Sequence, residues 1–228
     1  MEENLHLISD LKNLPFGEDS KIYKSAYAYT TLMAYYKSAC MEIRTKFDVM
    51  NEAFRIQLDR KPIVSIATRV KQPFSIKEKL ERYGKPLSVE SIHDNLNDVA
   101  GIRVVCSFLE DVYMLEKALL SQDDITLIQK KDYIKNPKPN GYRSLHLIVE
   151  VPIFLSDEKK MMRAEIQLRT IAMECWATLE HQINYKKDGV TDESIEQLRM
   201  CADMSTEIDT RMQKIWRDTC KLREEKDK

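Results

Sequence analysis

The segment Arg163-Ala-Glu-Ile-Gln-Leu-Arg169 alternates polar and apolar residues with a period of two. On a strand, that alternation sends Ala164, Ile166 and Leu168 to one face and Arg163, Glu165, Gln167 and Arg169 to the other. Glu165 then offers a carboxylate that can bind a hard cation or accept a proton. An edge strand with one wet face gives the same pattern. Asp98, preceded by Asp94 and Asn97, opens a hydrophobic run and reads either as a second such carboxylate or as a strand-end residue. An Asp and a Glu on different strands, with cations nearby, suit a magnesium–nucleotide site. Mg²⁺ prefers oxygen ligands and keeps waters while bridging phosphates.

The cations are concentrated in two places. Residues 69–85 hold Arg69, Lys71, Lys77, Lys79, Arg82 and Lys85 against Glu78 and Glu81, and residues 130–143 hold Lys130, Lys131, Lys135, Lys138 and Arg143 against Asp132. Each patch is a local +4 in a chain of net charge −1, so the remainder carries −9. Two compact basic patches suit two compact anions better than one long polyanion, although a solvated face also accounts for any single charge run. Arg69-Val-Lys71 leads into a short helix with Ser75, Lys79 and Arg82 at i, i+4 and i+7. Free N–H groups at a helix start, with that face, make a triphosphate cradle. It is no Walker A loop, since GxxxxGK[ST] is absent from the sequence. Gly141-Tyr142-Arg143-Ser144 follows a Lys/Pro/Asn loop. There Tyr142 can stack on a purine while Lys138 and Arg143 hold its phosphates, or it can simply pack. His146 shares a strand face with Ile148 and Glu150 and reads as a structural residue when taken alone. His93-Asp94 lacks the further ligands of a metal motif and reads as a turn.

These side chains need a scaffold, and the chain of 228 residues, 43% hydrophobic and 32% charged, can bury a sizeable core. From Ile22, apolar or small residues recur at Ala26, Tyr29, Met33, Tyr36, Cys40, Ile43, Phe47, Met50 and Phe54. Those steps of three and four predict one long helix ending near Lys61-Pro62. Its seam packs either on the chain's own core or on a second subunit. A helix is expected over Ser75–Tyr83, with a Ser75/Glu78 capping box and Gly84 as its left-handed stop. Strands are expected at 98–108, 125–133, 144–152 and 163–169, and helices at 111–120, 170–186 and 192–223. The whole predicts an α/β (α+β) fold, a small mixed sheet of about five strands between long N- and C-terminal helices. Five scattered cysteines without a CxxC pair point away from zinc and disulfides and towards a reducing compartment. The acidic start Met-Glu-Glu-Asn and the lack of a long apolar run predict a soluble, cytoplasmic protein with no membrane partner.

Four segments together, Asn97-Asp-Val-Ala-Gly-Ile-Arg103, Lys131 through His146, Ala164-Glu-Ile-Gln-Leu-Arg-Thr170 and Trp176-Ala-Thr-Leu-Glu-His181, resemble the synthetase domain of the RelA/SpoT family. The length is similar to that of its single-domain members, the small alarmone synthetases. The resemblance implies a nucleotidyltransferase-like fold that transfers pyrophosphate from ATP to the ribose 3′-hydroxyl of GTP or GDP, giving (p)ppGpp and AMP in the stringent response. It implies that Arg69 and Arg103 sandwich adenine while Lys71, Ser75, Lys79 and Arg82 handle the ATP phosphates. Asp98 and Glu165 would hold Mg²⁺, with Glu165 close to the attacking hydroxyl. Tyr142 would stack on guanine; Lys131, Lys138, Arg143 and His146 would grip the phosphates of GTP, and Gln167 would position that nucleotide. Family members often carry Arg at the position of Lys131, so here a point charge replaces a bidentate fork. Glu174 stands where Asn or Asp is frequent near the guanine, which leaves preference among GTP, GDP and GMP open.

The resemblance divides the chain into an N-terminal helical extension (1–61), a catalytic core (62–186) and a C-terminal helix (187–228) that joins a homotetramer. It places the hydrolase and regulatory domains of the long relatives outside this sequence and leaves regulation by RNA or (p)ppGpp open. Two rival readings share the fold: a toxin-type relative that pyrophosphorylates the tRNA 3′ end, and a non-catalytic RNA-binding module. The compact guanosine-like loop argues against the first, and the paired carboxylates Asp98 and Glu165 argue against the second.

Overall fold

The computed structural model describes residues 20–185 and 191–226. Helix α1 spans Lys21–Leu58; the Ser20 hydroxyl accepts the Tyr23 N–H at 3.1 Å, and Asp59 closes the helix in the left-handed region at φ 51°. Of the expected seam, Tyr36, Cys40, Ile43, Phe47 and Met50 are buried, whereas Ile22 is exposed. The seam therefore serves this chain's own core over most of its length.

Strand β1 (Ile63–Val70) follows directly. The sequence pattern does not announce it, because an edge strand with most residues exposed lacks a buried face to betray its period. Helix α2 (Pro73–Arg82) begins two residues earlier than expected. Pro73 occupies its first turn and Gln72 caps it without a side-chain bond, so the Ser75/Glu78 capping box does not form. Gly84 does adopt the left-handed conformation, at φ 63°. Helix α3 (Val89–Asn95), capped by Ser88, contains His93 and Asp94 in its last turn, so this pair is helical where a helix-to-strand turn was expected.

The remaining elements are β2 (Ala100–Cys106), α4 (Leu109–Leu120), β3 (Thr126–Asp132), β4 (Leu145–Phe154), β5 (Lys159–Thr170), α5 (Ile171–Tyr185) and α6 (Asp192–Lys226). The sheet has five strands in the order β1-β2-β5-β4-β3; β2 and β5 are parallel and all other pairs antiparallel. One sheet face is apolar: Ile102, Val104, Leu145, Leu147, Val149, Ala164, Ile166 and Leu168 are all buried in one cluster with Ile43 and Phe47 of α1 and Leu115 and Leu119 of α4. The other face is polar. The expected C-terminal end of α5 at Lys186, and Gly189, lie outside the described residues.

Helix α6 docks through a small and polar stripe. Ala202, Asp209 and Gln213 are buried, while Ile195, Met204, Ile208, Met212 and Ile215 are exposed. At the far end, Arg60 grips the buried Asp111 through two bonds of 2.9 and 2.5 Å. Its guanidinium also lies 5.5 Å from the Phe108 ring and 4.9 Å from that of Trp216, which stack at 5.0 Å. Phe47, fully buried between sheet and helices, tests this packing. Phe47→Ala should lower the unfolding free energy by about 3–5 kcal/mol. Urea denaturation checks it, and a loss below about 1 kcal/mol would mean that the ring is not part of the core.

Candidate active site

Strand register assembles the polar face in two rows. Arg69 lies opposite Gly101, Gly101 opposite Glu165, and Glu165 opposite Ile148. In the next row Ala67, Arg103, Gln167, His146 and Lys131 follow one another across all five strands. Residues directly opposite point to the same side of a sheet, so Arg69, Arg103, Lys131, His146, Glu165 and Gln167 share one surface. Gly101 matters because it has no side chain. A Cβ there would come within 3.3 Å of Arg69 Cγ, so the arginine lies over the β2 backbone.

Asp98 sits immediately before β2. The Lys71 N–H bonds to the Val99 carbonyl at 2.8 Å, which brings Lys71 beside it. The ammonium groups of Lys71 and Lys79 both reach Asp98 Oδ2, at 2.7 and 2.6 Å. Burial raises the Asp98 carboxyl, but the bonds and charges of the two lysines outweigh it and hold it below its ordinary value. Its other oxygen, Oδ1, is buried without a partner. Glu165 is treated similarly: burial raises its carboxyl, the hydrogen bond and charge of His146 and the Gln167 amide lower it further, and the net shift is downward. The Asp98 charge acts on Glu165 in the opposite direction, so the two carboxylates lie within reach of each other's field.

From Glu165 a chain of bonds runs towards the loop of residues 133–144. His146 Nδ1 is 3.3 Å from Glu165 Oε1, and His146 Nε2 is 2.8 Å from the Tyr142 hydroxyl. Arg169 donates to that hydroxyl at 2.6 Å, to Gln167 Oε1 at 2.8 Å and to Glu174 at 2.8 Å. Glu174 also meets Arg103 at 3.2 Å. The Tyr142 ring meets Tyr133 and His146 edge-on and lies 4.9 Å from the Lys138 ammonium. A cavity of about 490 Å³ opens on this face, lined by Arg69, Gly101, Arg103, Tyr142, Gln167 and Arg169 among others. A larger groove of about 730 Å³ lies behind α2, and neither cavity is lined by Asp98 or Glu165.

The structure thus brings together Arg69, Lys71, Lys79, Asp98, Arg103, Tyr142, His146, Glu165 and Gln167. Lys131 and Lys138 stand exposed at the far side, Ser75 is half-buried on α2, and the exposed Arg82 guanidinium lies 5.7 Å from the Tyr83 ring. Arg143 departs from expectation. Its guanidinium bonds Thr206 at 2.9 Å and lies 3.6 Å from Asp209, so it faces α6 instead of gripping a nucleotide. Both residues lie in the loop before β4, and there the Tyr142 hydroxyl meets His146 and Arg169 while the Arg143 guanidinium is taken by Thr206 and Asp209. Arg169 is the residue sequence reasoning missed. Its parity with Glu165 was the signal, but parity alone does not separate it from Arg163, which binds Glu150, Asn97 and the Asp94 carbonyl instead.

A metal can be tested against these residues. No group of three or more His, Cys, Asp or Glu side chains suited to a metal occurs among the described residues. Two carboxylates within reach of each other's charge, one with an unpartnered buried oxygen, fit a hard cation that takes its other ligands from phosphates and water. The lysine-held Asp98 also has a measurable pH signature. Its folded value lies below the ordinary 3.8, so the stability it contributes is complete above that value and is lost as pH falls through the folded one. Unfolding free energy measured from neutral pH down to about pH 2 should therefore fall more steeply for the native protein than for Asp98→Asn. Parallel curves would show that Lys71 and Lys79 do not hold the carboxylate.

Residues 68–190 match the family described as a region found in RelA / SpoT proteins. The chain is 39% identical over 178 residues to GTP pyrophosphokinase YwaC of Bacillus subtilis, covering 78% of this chain and 85% of that one. Its structure is similar to small alarmone synthetase 1 from Bacillus subtilis bound to its product pppGpp, with a TM-score of 0.73, 32% identity, and coverage of 80% of this chain and 93% of that one. It is also similar to the same synthetase bound to AMPCPP, with a TM-score of 0.72, 29% identity, and coverage of 85% and 98%. Sequence motifs, sheet order and relatives agree, and the chain belongs to the RelA/SpoT family.

Proposed function

We infer that this chain is a (p)ppGpp synthetase, a GTP diphosphokinase that moves the β,γ-pyrophosphoryl group of ATP to the 3′-hydroxyl of GTP or GDP. The observation that carries this reading is that Asp98 and Glu165 lie within reach of each other's charge between two sets of cations. Arg69, Lys71, Lys79 and Arg103 lie to one side of the pair, and His146, Tyr142 and Lys131 lie to the other. Two polyanionic nucleotides repel each other, and two cationic pockets flanking a shared centre offset that repulsion while holding the reacting atoms in line.

On the donor side, Arg69 and Arg103 line the cavity and can clasp the adenine between them. Lys71 and Lys79, with Ser75 and Arg82 on the same helix, take the phosphates. On the acceptor side, Tyr142 offers its ring to guanine, Lys131, Lys138 and His146 meet the phosphates, and Gln167 orients the nucleotide. In the reaction the ribose 3′-oxygen bonds to the β-phosphorus, the bond from that phosphorus to the α,β-bridging oxygen breaks, and AMP departs. Glu165 accepts the hydroxyl's hydrogen bond and then its proton. Mg²⁺ held by Asp98 and Glu165 would neutralise charge on the transferring phosphates.

The exposed apolar face of α6, Met204, Ile208, Met212 and Ile215, supports assembly into a homo-oligomer, with a tetramer as the form expected. Among the described residues no helix is long and apolar enough to cross a membrane, and the free cysteines Cys40, Cys106, Cys175, Cys201 and Cys220 suit the cytoplasm.

ATP labelled in its β- or γ-phosphate, incubated with Mg²⁺ and GTP, GDP or deacylated tRNA, should label the guanosine nucleotide and release unlabelled AMP. Label in the tRNA instead would transfer the activity to that acceptor. Glu165→Gln should cut synthesis by about 10²- to 10⁴-fold with the thermal midpoint nearly unchanged. Near-normal turnover in that variant would remove Glu165 from its role.

A further inference from the structure

Helix α6 touches the site from outside through a single stripe. Trp176 of α5 donates to the Leu198 carbonyl at 2.8 Å. One turn on, Ala202 lies against Gly141, where a Cβ would come within 2.5 Å of the alanine Cβ and where φ is +89°. Next, Thr206 accepts from Arg143 at 2.9 Å. Then Asp209, only 7% exposed, accepts from the Thr170 hydroxyl at 2.8 Å and lies 3.6 Å from the Arg143 guanidinium. Leu198, Ala202, Thr206 and Asp209 are spaced by four, four and three residues, so they lie along one face of the helix.

The two partners of Asp209 are not arbitrary. Arg143 follows Tyr142, and Thr170 follows Arg169. In the cleft, Arg169 and Tyr142 are joined by a bond of 2.6 Å. On the opposite side of the same two backbone segments, Arg143 and Thr170 are joined through Asp209. Residues next to each other in extended chain point opposite ways, so one carboxylate fixes from behind the separation that the tyrosine and arginine need in front. A carboxylate so buried is costly without its partners, and both are supplied by the elements it has to hold.

Building on the synthetase reading above, we propose that Asp209 is a positioning residue for the acceptor nucleotide: through Arg143 and Thr170 it holds Tyr142 and Arg169 in the geometry that binds the guanosine nucleotide. Arg143 then acts as the anchor of the acceptor loop, and α6 is the wall to which that loop is fastened. No hydrogen bond or ion pair joins this stripe to the donor residues Arg69, Lys71 and Lys79 among the described residues, and Arg103 is reached only at one remove, through Glu174 to Arg169, so the effect falls chiefly on the acceptor nucleotide.

Asp209→Asn should raise the KM for GDP, and its Kd measured by calorimetry, at least about tenfold, while the KM for ATP stays within about twofold. Thr206→Val, on a half-exposed position, should shift the GDP constants in the same direction, and Thr206→Ser, which keeps the hydroxyl, should restore them. A purely structural role would lower the amount of folded enzyme and leave both KM values where they were. The proposal is overturned if GDP constants in Asp209→Asn stay within about twofold of the native protein, or if ATP and GDP constants rise together. Should Asp209→Asn fail to fold, the Thr206 pair decides, and equal GDP constants for Val and Ser overturn it. Native protein assayed in parallel separates the two claims. If it makes product and the variants bind GDP normally, only the role of Asp209 falls. If it neither makes product nor binds GDP, the synthetase reading falls and takes this one with it.

Discussion

Two carboxylates largely withdrawn from water within reach of each other's charge repel each other and lose hydration, so each must be compensated where it stands. Asp98 is compensated by two ammonium groups on a single oxygen, and Glu165 by a histidine and an amide. Most of the remaining site follows from this requirement. Lys71 and Lys79 come from the end of β1 and from α2, which is why those two elements have to pack beside the start of β2. His146 and Gln167 come from β4 and β5, which is why these strands must pair in the register they do. In such a place a cation and anionic phosphates relieve repulsion that the protein alone leaves partly unresolved, as the unpartnered oxygen of Asp98 shows.

The parallel pairing of β2 with β5 is the element of topology that makes the centre. It sets Gly101 opposite Glu165 and Arg103 opposite Gln167, so donor-side and acceptor-side residues are neighbours in space although more than sixty positions separate them along the chain. The apolar face of those strands is sealed by α1 and α4, which leaves only the polar face for ligands. Binding side chains on rigid paired strands are held more tightly than on loops. The acceptor loop is the exception, and it is braced by α6. Here the C-terminal helix joins structure to function: its inner stripe is small and polar where it meets the loop, and its apolar residues are turned outward.

Much of the scaffold was legible because periodicity reports burial. The stripe Tyr36, Cys40, Ile43, Phe47 and Met50, the alternation in β4 and β5, and Gly84 at the end of α2 each follow from local rules. Strand β1 was not legible, since an exposed edge strand has no buried face to mark its period. The beginning of α2 was misplaced because Pro73 competes with Ser75 for the start, and a proline that needs no N–H partner wins. In the site, His146 stood out only through the family resemblance, whereas residue types and spacing singled out Asp98, Glu165, Lys71 and Lys79 as candidates. They did not distinguish Arg169, which joins Tyr142, Gln167 and Glu174, from Arg163 on the same face, nor did they turn Arg143 away from the cleft.

By itself, then, the order of amino acids determined which segments become helix or strand, which face of each is apolar, and which side chains carry charge into the polar face. Those properties depend on neighbours within a few positions. Only the tertiary structure decided which charges meet: that Asp98 takes both lysines on one oxygen, that His146 bridges Glu165 and Tyr142, and that Asp209 fastens Arg143 and Thr170. Such pairings arise from strand register and helix docking between residues far apart in the chain, and no local period encodes them.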